Sequence, residues 1–286
     1  MKVLIIQENG RNKENRHMRE CHSLQYWMSM AGIEATCWGK GHPNFNIPFD
    51  QIRKNFDIIF CLENYNNGWL PNMKTVDQYK IFWSIDSHCE LNSHVEFCKE
   101  SKINLHLNSA PGYIKHFEPF VDKCVWFPNS IDTRWIKPIN VEKTDPIGFI
   151  GSMIADRPQL IPVLQNLVGL SSYSNILGEE MVMKINSFQI GFNKSISDDI
   201  NYRIFETTGC QVPLITNNVP GLDRLYNLDQ DILVYSNFKE LLGCCIWLLK
   251  DETARKELAI EGYKRTILNH TVEKRISALK SILDSA

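Results

Sequence analysis

The segment Ser197–Gly221 (SDDINYRIFETTGCQVPLITNNVPG) holds the residues best suited to chemistry, an arginine and several carboxylates around a predicted helix start. Arg203 and Glu206 are three positions apart, so they share one face of that helix, and Asp199 is placed to cap it. Helix N–H groups with a guanidinium suit a diphosphate, and a carboxylate one turn later suits ribose hydroxyls. An ordinary capped surface helix with an internal ion pair explains the same pattern.

A second candidate site lies in the first half of the chain, in the string Trp83–His88 (WSIDSH) after a predicted strand. The carboxyl end of a parallel strand is where an α/β sheet exposes functional side chains. Asp86 or His88 would orient or deprotonate an acceptor hydroxyl there. The alternative is an Asp that caps the next helix beside a solvated His. The basic run Arg11–Arg19 has three interpretations: it faces donor phosphates, it faces an anionic acceptor, or it is a solvated helix face.

Short apolar runs that alternate with helix-length amphipathic segments predict parallel sheets built from βαβ units. A polar segment bracketed by prolines, Pro138–Pro146, predicts a linker between two such domains. The predicted strands are Val3–Gln7, Ile33–Trp38, Asp57–Leu62, Tyr79–Ile85, Ile103–Leu107, Lys123–Phe127, Ile147–Ile150, Ser187–Phe192, Val212–Thr216 and Asp231–Tyr235. The predicted helices are one that runs from the basic segment to near Gly32, then Pro158–Leu170, Ile200–Thr208, Phe238–Lys250, Glu252–Gly262 and Val272–Asp284.

Length and composition agree with a two-domain protein. The chain has 286 residues, which at roughly 150 residues per domain favours two domains. Hydrophobic residues make up 43% of the chain, which excludes a wholly disordered protein. The formal net charge of -2 excludes a cationic surface over the whole protein, although a local basic patch is compatible with it. The longest apolar run, Leu241–Leu249, is too short for a membrane span.

The cysteines indicate a reducing compartment. There are nine of them, an odd number, and they lie scattered in apolar segments rather than in a disulfide framework. The apolar run at the N-terminus lacks the cleavage site of a secretory signal, so we expect a cytoplasmic protein. Neither G-x-G-x-x-G nor a P-loop string occurs, which argues against a dinucleotide oxidoreductase or a P-loop NTPase.

Five stretches in the same order resemble GT-B glycosyltransferases. The resemblance is to the retaining nucleotide-sugar enzymes with an E-x7-E pattern (GT4-like, glycosyl transferases group 1), and within them to the spore-protein CgeB/YkvP-like group. It covers most of the second half of the chain. The stretches are Lys123–Asp132 (KCVWFPNSID), Ile147–Met153 (IGFIGSM), Asn201–Glu206 (NYRIFE) with Gly209, Pro213–Thr216 (PLIT) with Pro220 and Gly221, and the helices after Phe238.

This resemblance implies the fold and domain order. We expect an α/β protein with two Rossmann-like doubly wound domains facing a cleft and a C-terminal helix crossing back to the first domain. Residues 1–139 would form the acceptor domain, 146–270 the nucleotide-sugar donor domain and 271–286 the returning helix.

The resemblance also implies residue roles in the donor domain. Glu206 would bind the ribose of the donor, and Arg203 would neutralise the diphosphate leaving group. Gly151 and Ser152 would let the backbone approach that diphosphate. Asp198 stands where the pattern has its first Glu, which contacts the transferred sugar.

Four further residues complete the candidate site. Ile204 lies between the arginine and the glutamate and completes the donor-binding set. Lys194 is the candidate for the lysine that the family usually carries in this domain. Asp86 and His88, with Arg203, complete the candidate catalytic set.

The expected activity is that of a glycosyltransferase that moves a sugar from a nucleoside-diphosphate sugar, most simply a UDP-sugar, to an acceptor hydroxyl. The resemblance implies retaining, metal-independent transfer without any other cofactor. The acceptor is left open among a glycan, a lipid-linked sugar, a protein and modified DNA. Two alternatives remain, a catalytically inactive binding or structural protein and an inverting enzyme that glycosylates a modified base in DNA with Asp86 as base.

Two other strings suggest metals but are weaker. The residues His88, Cys89, His94 and Cys98 are metal-ligand types at close spacing, without a C-x-x-C knuckle or a downstream pair. Asp229-Gln230-Asp231 has the D-x-D form but is far from the nucleotide-type motifs and predicts a turn. We therefore expect no metal site.

Overall fold

The computed structural model describes residues 1–284, and these form two compact units. The N-terminal unit comprises Met1–Pro128 together with the last helix, which begins at Val272, and the C-terminal unit comprises Asn129–Thr271. Each unit is an α/β structure around one parallel sheet. No helix in the described residues is both long enough and apolar enough to cross a membrane.

The N-terminal unit contains a six-stranded sheet in the order β2-β1-β3-β4-β5-β6, with every neighbouring pair parallel. Its strands are β1 (Lys2–Ile6), β2 (Glu34–Trp38), β3 (Ile58–Leu62), β4 (Tyr79–Ser84), β5 (Leu105–Asn108) and β6 (Lys123–Trp126). Its helices are α1 (Glu20–Met30), α2 (Phe49–Ile52), α3 (Ser87–Ser101) and α4 (Ile114–Phe117), joined by α10 (Val272–Asp284) from the end of the chain.

The C-terminal unit contains a five-stranded parallel sheet in the order β11-β10-β9-β7-β8. Its strands are β7 (Asp145–Ile150), β8 (Leu170–Tyr173), β9 (Phe188–Asn193), β10 (Leu214–Asn217) and β11 (Leu233–Tyr235). Its helices are α5 (Arg157–Val168), α6 (Gly178–Asn186), α7 (Tyr202–Gly209), α8 (Phe238–Lys250) and α9 (Glu252–Asn269).

The central strands form where the sequence runs apolar. All five residues of β3 are buried, as are the last four of β1, because helices cover both faces of such a sheet. Every predicted strand is present with bounds shifted by a few residues. The strand β8 and the helices α2, α4 and α6 were not predicted, and α3 was expected only as the helix that Asp86 would cap in the alternative interpretation. The helix expected from the basic run begins only at Glu20, after a short 3-10 turn at Arg16–Met18.

The last helix belongs to the N-terminal unit. It packs against α1. Buried Arg275 on this helix donates a hydrogen bond from Nε to the carbonyl of Pro128, at 2.8 Å. A buried guanidinium on a main-chain carbonyl holds the helix in register against the end of the first unit.

The division between the units lies earlier than the sequence suggested. The domain boundary expected at residue 139 and the linker expected at Pro138–Pro146 differ from the observed division after Pro128. The reason is hydrogen bonding, since Asn129 donates to the carbonyl of Ile200 and the amide of Ile131 to that of His270. The proline-bracketed segment is itself held to Asn186, whose side chain accepts from the amide of Ile139 at 2.8 Å.

Two helical glycines give a matched test of how closely α9 packs in the C-terminal unit. A methyl group on Gly262 of α9 would lie 2.5 Å from the main-chain oxygen of Asp231, whereas one on exposed Gly243 of α8 meets nothing within 4 Å. We expect Gly262→Ala to destabilise the C-terminal unit by about 1–3 kcal/mol through overpacking. Gly243→Ala should stabilise it by up to ~1 kcal/mol through helix propensity. Urea denaturation followed by circular dichroism measures both, and equal effects would contradict the packing assigned to α9.

Candidate functional site

The C-terminal unit presents its polar groups where the strand order reverses. Neighbouring strands β7 and β9 end at Ile150 and Asn193, and the chain leaves them toward opposite sides of the sheet, which is the point where open α/β sheets bind ligands. Gly151 and Ser152 follow β7 directly, and Lys194 follows β9. The sequence-predicted glycine turn and the candidate lysine therefore lie on adjacent strand ends.

Arg157 joins these two strand ends. Its side chain is buried, and it donates from Nη1 to the carbonyl of Ser152 and from Nε to the carbonyl of Lys194, both at 3.0 Å. Burial lowers the pKa of this guanidinium, Asp156 and Asp199 oppose that shift, and nearby Arg203 adds to it. The sequence analysis missed Arg157, because nothing in the string around it distinguishes an arginine in a first helical turn from a surface residue.

The glycine turn is fixed by the protein itself. The amide of Gly151 donates to the carbonyl of Tyr173 on the neighbouring strand, at 3.0 Å. A methyl group at Gly151 would lie 2.9 Å from the ring of Phe149 and 3.4 Å from Nη1 of Arg157. A larger residue would therefore have to displace the Phe149 ring, over which the Arg157 guanidinium lies at 5.4 Å from the ring centre.

The connection from β9 to α7 is held by a buried amide network. Asn193 donates to the hydroxyl of Thr216 on β10, at 2.9 Å, and accepts from the amide group of Asn201, at 3.2 Å. The amide of Ser195 donates to the side chain of Asn217, at 2.7 Å. Asn201 precedes α7 and turns its side chain to Asn193 rather than onto the helix amides, so the first turn keeps its capacity to bind an anion.

Arg203 and Glu206 form the ion pair that their spacing predicted. Nη1 of the arginine lies 2.9 Å from Oε2 of the glutamate, and both side chains are mostly buried, at 18% and 16% exposure. Within residues 1–284, the buried Nε of Arg203 has no hydrogen-bond partner. A guanidinium with an unused donor near a helix start is chemically fitted to a phosphate oxygen.

Two members of the predicted donor set differ in exposure. Ile204 is fully buried, and its amide donates to the carbonyl of Asn201, at 3.3 Å. Asp198 is exposed on the turn before α7, whereas its neighbour Asp199 is buried near Arg157. Lys194 forms an ion pair with Asp156, at 3.1 Å.

The N-terminal unit repeats the strand reversal between β1 and β3. Gln7 follows β1, and its side chain donates to the carbonyl of Glu63, which follows β3, at 3.1 Å. Glu63 in turn accepts from the amides of Ile85 and Asp86 through Oε2, at 2.7 and 2.8 Å. Glu63, which the sequence analysis did not single out, thus fixes the backbone that carries the predicted catalytic residue Asp86.

Burial raises the pKa of Glu63 to about 7, with the nearby Asp86 carboxylate as the next contribution. The pKa of Asp86 is also raised, mainly by loss of hydration, while His88 acts to lower it. Asp86 precedes α3 without bonding to the helix amides through its side chain, so the expected alternative of a capping Asp does not describe it. The arrangement leaves an exposed carboxylate of raised basicity beside an imidazole, which suits orientation or deprotonation of a hydroxyl.

The basic run is not a solvated helix face. The guanidinium groups of Arg11 and Arg19 lie 4.3 and 4.7 Å from the ring centre of Tyr65, and Arg19 donates from Nη1 to its hydroxyl, at 3.0 Å. Tyr65 is itself 58% exposed. The result is an exposed aromatic ring flanked by two cations, which we call the arginine–tyrosine patch (Arg11, Arg19 and Tyr65).

Residues from both weaker metal strings have structural contacts. Asp231 is buried and accepts from Nε of Arg265, at 2.8 Å, while Asp229 occupies a left-handed turn position. Burial lowers the pKa of His94 to about 4, so that imidazole is neutral, and Cys98 lies in the core of the N-terminal unit.

Known proteins share features of this chain in both sequence and structure. Residues 152–281 match the family described as glycosyl transferase-like. The chain is similar in structure to an alpha-glucosyltransferase (AGT) in complex with UDP, at a TM-score of 0.71 and 10% identity over 99% of this chain and 100% of that one. No curated protein matches it in sequence.

Two further solved structures have the same fold. Sucrose-phosphate synthase from Thermosynechococcus elongatus superimposes with a TM-score of 0.68 at 10% identity, with 99% of each chain covered. Anabaena Alr3699/HepE in complex with UDP-glucose superimposes with a TM-score of 0.65 at 10% identity, with 100% of each chain covered.

The fold and the family match define the class of this protein. It has the GT-B fold of two α/β units, each built on a parallel sheet, and residues 152–281 form a glycosyl transferase-like domain. The resemblance to GT-B glycosyltransferases is therefore confirmed, and so is the expected enzyme class, a glycosyltransferase. The CgeB/YkvP-like group and the retaining course of the reaction stay predictions.

The raised pKa of Glu63 gives a test of the N-terminal site. The pKa of Glu63 in the folded protein lies above the ordinary 4.5, so the folded protein holds a proton that the unfolded chain releases. The stabilisation that this proton gives the folded state is complete below about pH 4.5 and is lost as pH rises through about 7. Between about pH 5 and about pH 8, the free energy of unfolding of the wild type should fall by on the order of 1–3 kcal/mol because of this carboxyl group. Glu63→Gln should abolish that part of the fall. Urea denaturation at both pH values measures it, with exposed Glu142→Gln as control. Identical pH profiles for all three proteins would contradict the assignment.

Proposed function

We propose that the protein transfers a sugar from a UDP-sugar held by the C-terminal unit to an acceptor hydroxyl bound by the N-terminal unit. The observation that carries the proposal is the Arg203–Glu206 pair at the start of α7, with an unused guanidinium donor, in a unit whose strand ends meet at a glycine turn. Solved structures of the same fold are described as complexes with UDP and with UDP-glucose, which supports this donor class.

The donor is held mainly through its diphosphate and ribose. Arg203 pairs with phosphate oxygens through its unused Nε, and the first amides of α7 add their dipole. Glu206 accepts from the ribose hydroxyls, which a carboxylate in this position is suited to do. Gly151 and Ser152 bring main chain to the diphosphate, while Arg157 holds both strand ends in place as a positioning residue.

Departure of the diphosphate is the step that these cationic groups assist. Negative charge develops on the leaving oxygen, and a preorganised guanidinium with helix amides stabilises it without reorganisation. We propose retaining transfer that needs no divalent metal in the reaction, with Asp86 or His88 orienting the acceptor hydroxyl. Turnover that is equal with and without added Mg²⁺ or Mn²⁺ supports this, and turnover only with the metal contradicts it.

A reducing compartment fits the chain. All nine cysteines are free thiols, and most of them are buried, where oxidation would disturb the cores. We propose that the protein acts in the cytoplasm, where thiols stay reduced.

A modified base in DNA is the second candidate acceptor. The arginine–tyrosine patch favours it, because Tyr65 holds two guanidinium groups side by side, and such groups can contact the phosphates of a DNA strand. A similar structure is described as an alpha-glucosyltransferase with UDP and a 13-mer DNA containing a HMU base. Incubation with radiolabelled UDP-glucose and duplexes with or without that base decides the point. Label in the modified duplex, lost in Arg11→Ala, supports this acceptor, and its absence from both duplexes during donor turnover eliminates it.

The donor site predicts a specific loss of UDP affinity. Arg203→Ala removes a charge-assisted contact of roughly 1.5–3 kcal/mol, so UDP should bind about 10- to 100-fold more weakly. Glu206→Ala should weaken UDP, which carries the ribose, by a similar amount. Isothermal titration calorimetry measures both. Lys256→Ala, which breaks an exposed pair with Glu252 on α9, is the control and should bind UDP as the wild type does.

Thermal unfolding and donor hydrolysis with the same ligands test the function as a whole. UDP and UDP-glucose should raise the thermal midpoint of the wild-type protein, and slow donor hydrolysis without acceptor should accompany binding. Binding without hydrolysis would favour the alternative of an inactive binding protein. A folded protein that binds neither compound would refute the proposed donor class.

A further inference from the structure

Three side chains that commonly bind metals converge in the N-terminal unit, apart from the groups assigned to sugar transfer. They are Cys21, His22 and His42, and one potential ligand atom from each lies within 4.8 Å of the other two. The sulfur of Cys21 is 4.0 Å from Nε2 of His42, and the two imidazole centres are 5.4 Å apart. Cys21 and His42 are buried, so these groups meet away from bulk solvent.

The fold fixes the positions of these residues through the end of β1. The amide of Cys21, in the first turn of α1, donates to the side chain of Gln7, at 3.0 Å. His42 lies in the loop after β2, and its amide donates to the carbonyl of Gly39, at 3.0 Å. The three groups therefore come from a helix start and a strand end that the sheet holds side by side.

One of the two imidazoles already has the outer partner typical of a metal-binding histidine. Nε2 of His22 lies 2.7 Å from the side-chain oxygen of Asn9, and such a partner orients the ring and leaves Nδ1 for a metal. Nε2 of His42, the nitrogen 4.0 Å from the Cys21 sulfur, lies 3.1 Å from the carbonyl of Gln7 and would exchange that contact for the metal. The Cys37 thiol donates to the main-chain carbonyl of Cys21, at 3.2 Å, so β2 and the start of α1 are tied together beside the three groups.

We propose that Cys21, His22 and His42 bind one Zn²⁺ ion. A thiolate with two imidazoles selects a borderline-soft metal over Mg²⁺ or Ca²⁺, which prefer oxygen ligands. Three protein ligands leave one tetrahedral position for water. The ion ties the start of α1 to the loop after β2, so its role is to stabilise the N-terminal unit and not to take part in sugar transfer.

Cobalt titration of the metal-stripped full-length protein tests the ligand set. Co²⁺ bound to a thiolate gives a near-ultraviolet charge-transfer band, and tetrahedral Co²⁺ gives intense visible bands, so both should appear and saturate at one equivalent. Cys21→Ser should remove the charge-transfer band, and His42→Gln should weaken cobalt binding about tenfold or more. Exposed Cys89→Ser is the control and should keep the wild-type spectrum.

Zinc itself gives the second readout. One Zn²⁺ per chain, measured by native mass spectrometry, should raise the thermal midpoint of the wild type and leave that of Cys21→Ser unchanged. Circular dichroism confirms that the variants are folded. The proposal is overturned if folded wild-type protein shows no charge-transfer band with excess Co²⁺, or if the band persists in Cys21→Ser. In that case the three residues form a metal-free hydrogen-bonded cluster. UDP binding is unaffected by either result, so the two proposals fail independently.

Discussion

The bridge that Arg157 makes between two strand ends is the contact on which the C-terminal site depends. Parallel strands β7 and β9 send their chains to opposite sides of the sheet, and the carbonyls of Ser152 and Lys194 lie just beyond their ends. A buried guanidinium satisfies both, because its planar donors reach two acceptors at once. The glycine turn and the loop that leads to α7 take their positions from this contact.

In the N-terminal unit, the loops at the strand reversal are held by an acidic side chain instead of a basic one. Its reversal point lies between β1 and β3, and there a carboxylate, Glu63, accepts from two amides of the segment after β4. Arg157 donates hydrogen bonds to main-chain carbonyls, whereas Glu63 accepts them from main-chain N–H groups. Each unit thus holds its loops by one ionisable side chain at the edge where an α/β sheet presents ligand-binding residues. Because such a group must stay paired when it is buried, a loss of either would displace the loops as well as cost stability.

The fold was largely readable because burial on both faces forces a strand to be apolar throughout. This signal predicted every central strand, and α10 was predicted with its observed bounds, Val272–Asp284. Leu170–Tyr173 escaped notice, since an edge strand with one buried residue carries little pattern. Proteins of about 10% identity superimpose on this chain for the same reason, because many different apolar sequences are compatible with one arrangement of sheets and helices.

The sequence by itself determined what depends on short spacing. It placed Arg203 and Glu206 on one face of a helix, because residues three apart in a helix are neighbours. Only the tertiary structure decided that Arg157 and Glu63 hold the strand ends and that Asp199, rather than Asp198, turns inward. Those choices rest on contacts between residues distant in the chain, which local pattern does not encode. The convergence of a helix start with the loop after β2 has the same origin.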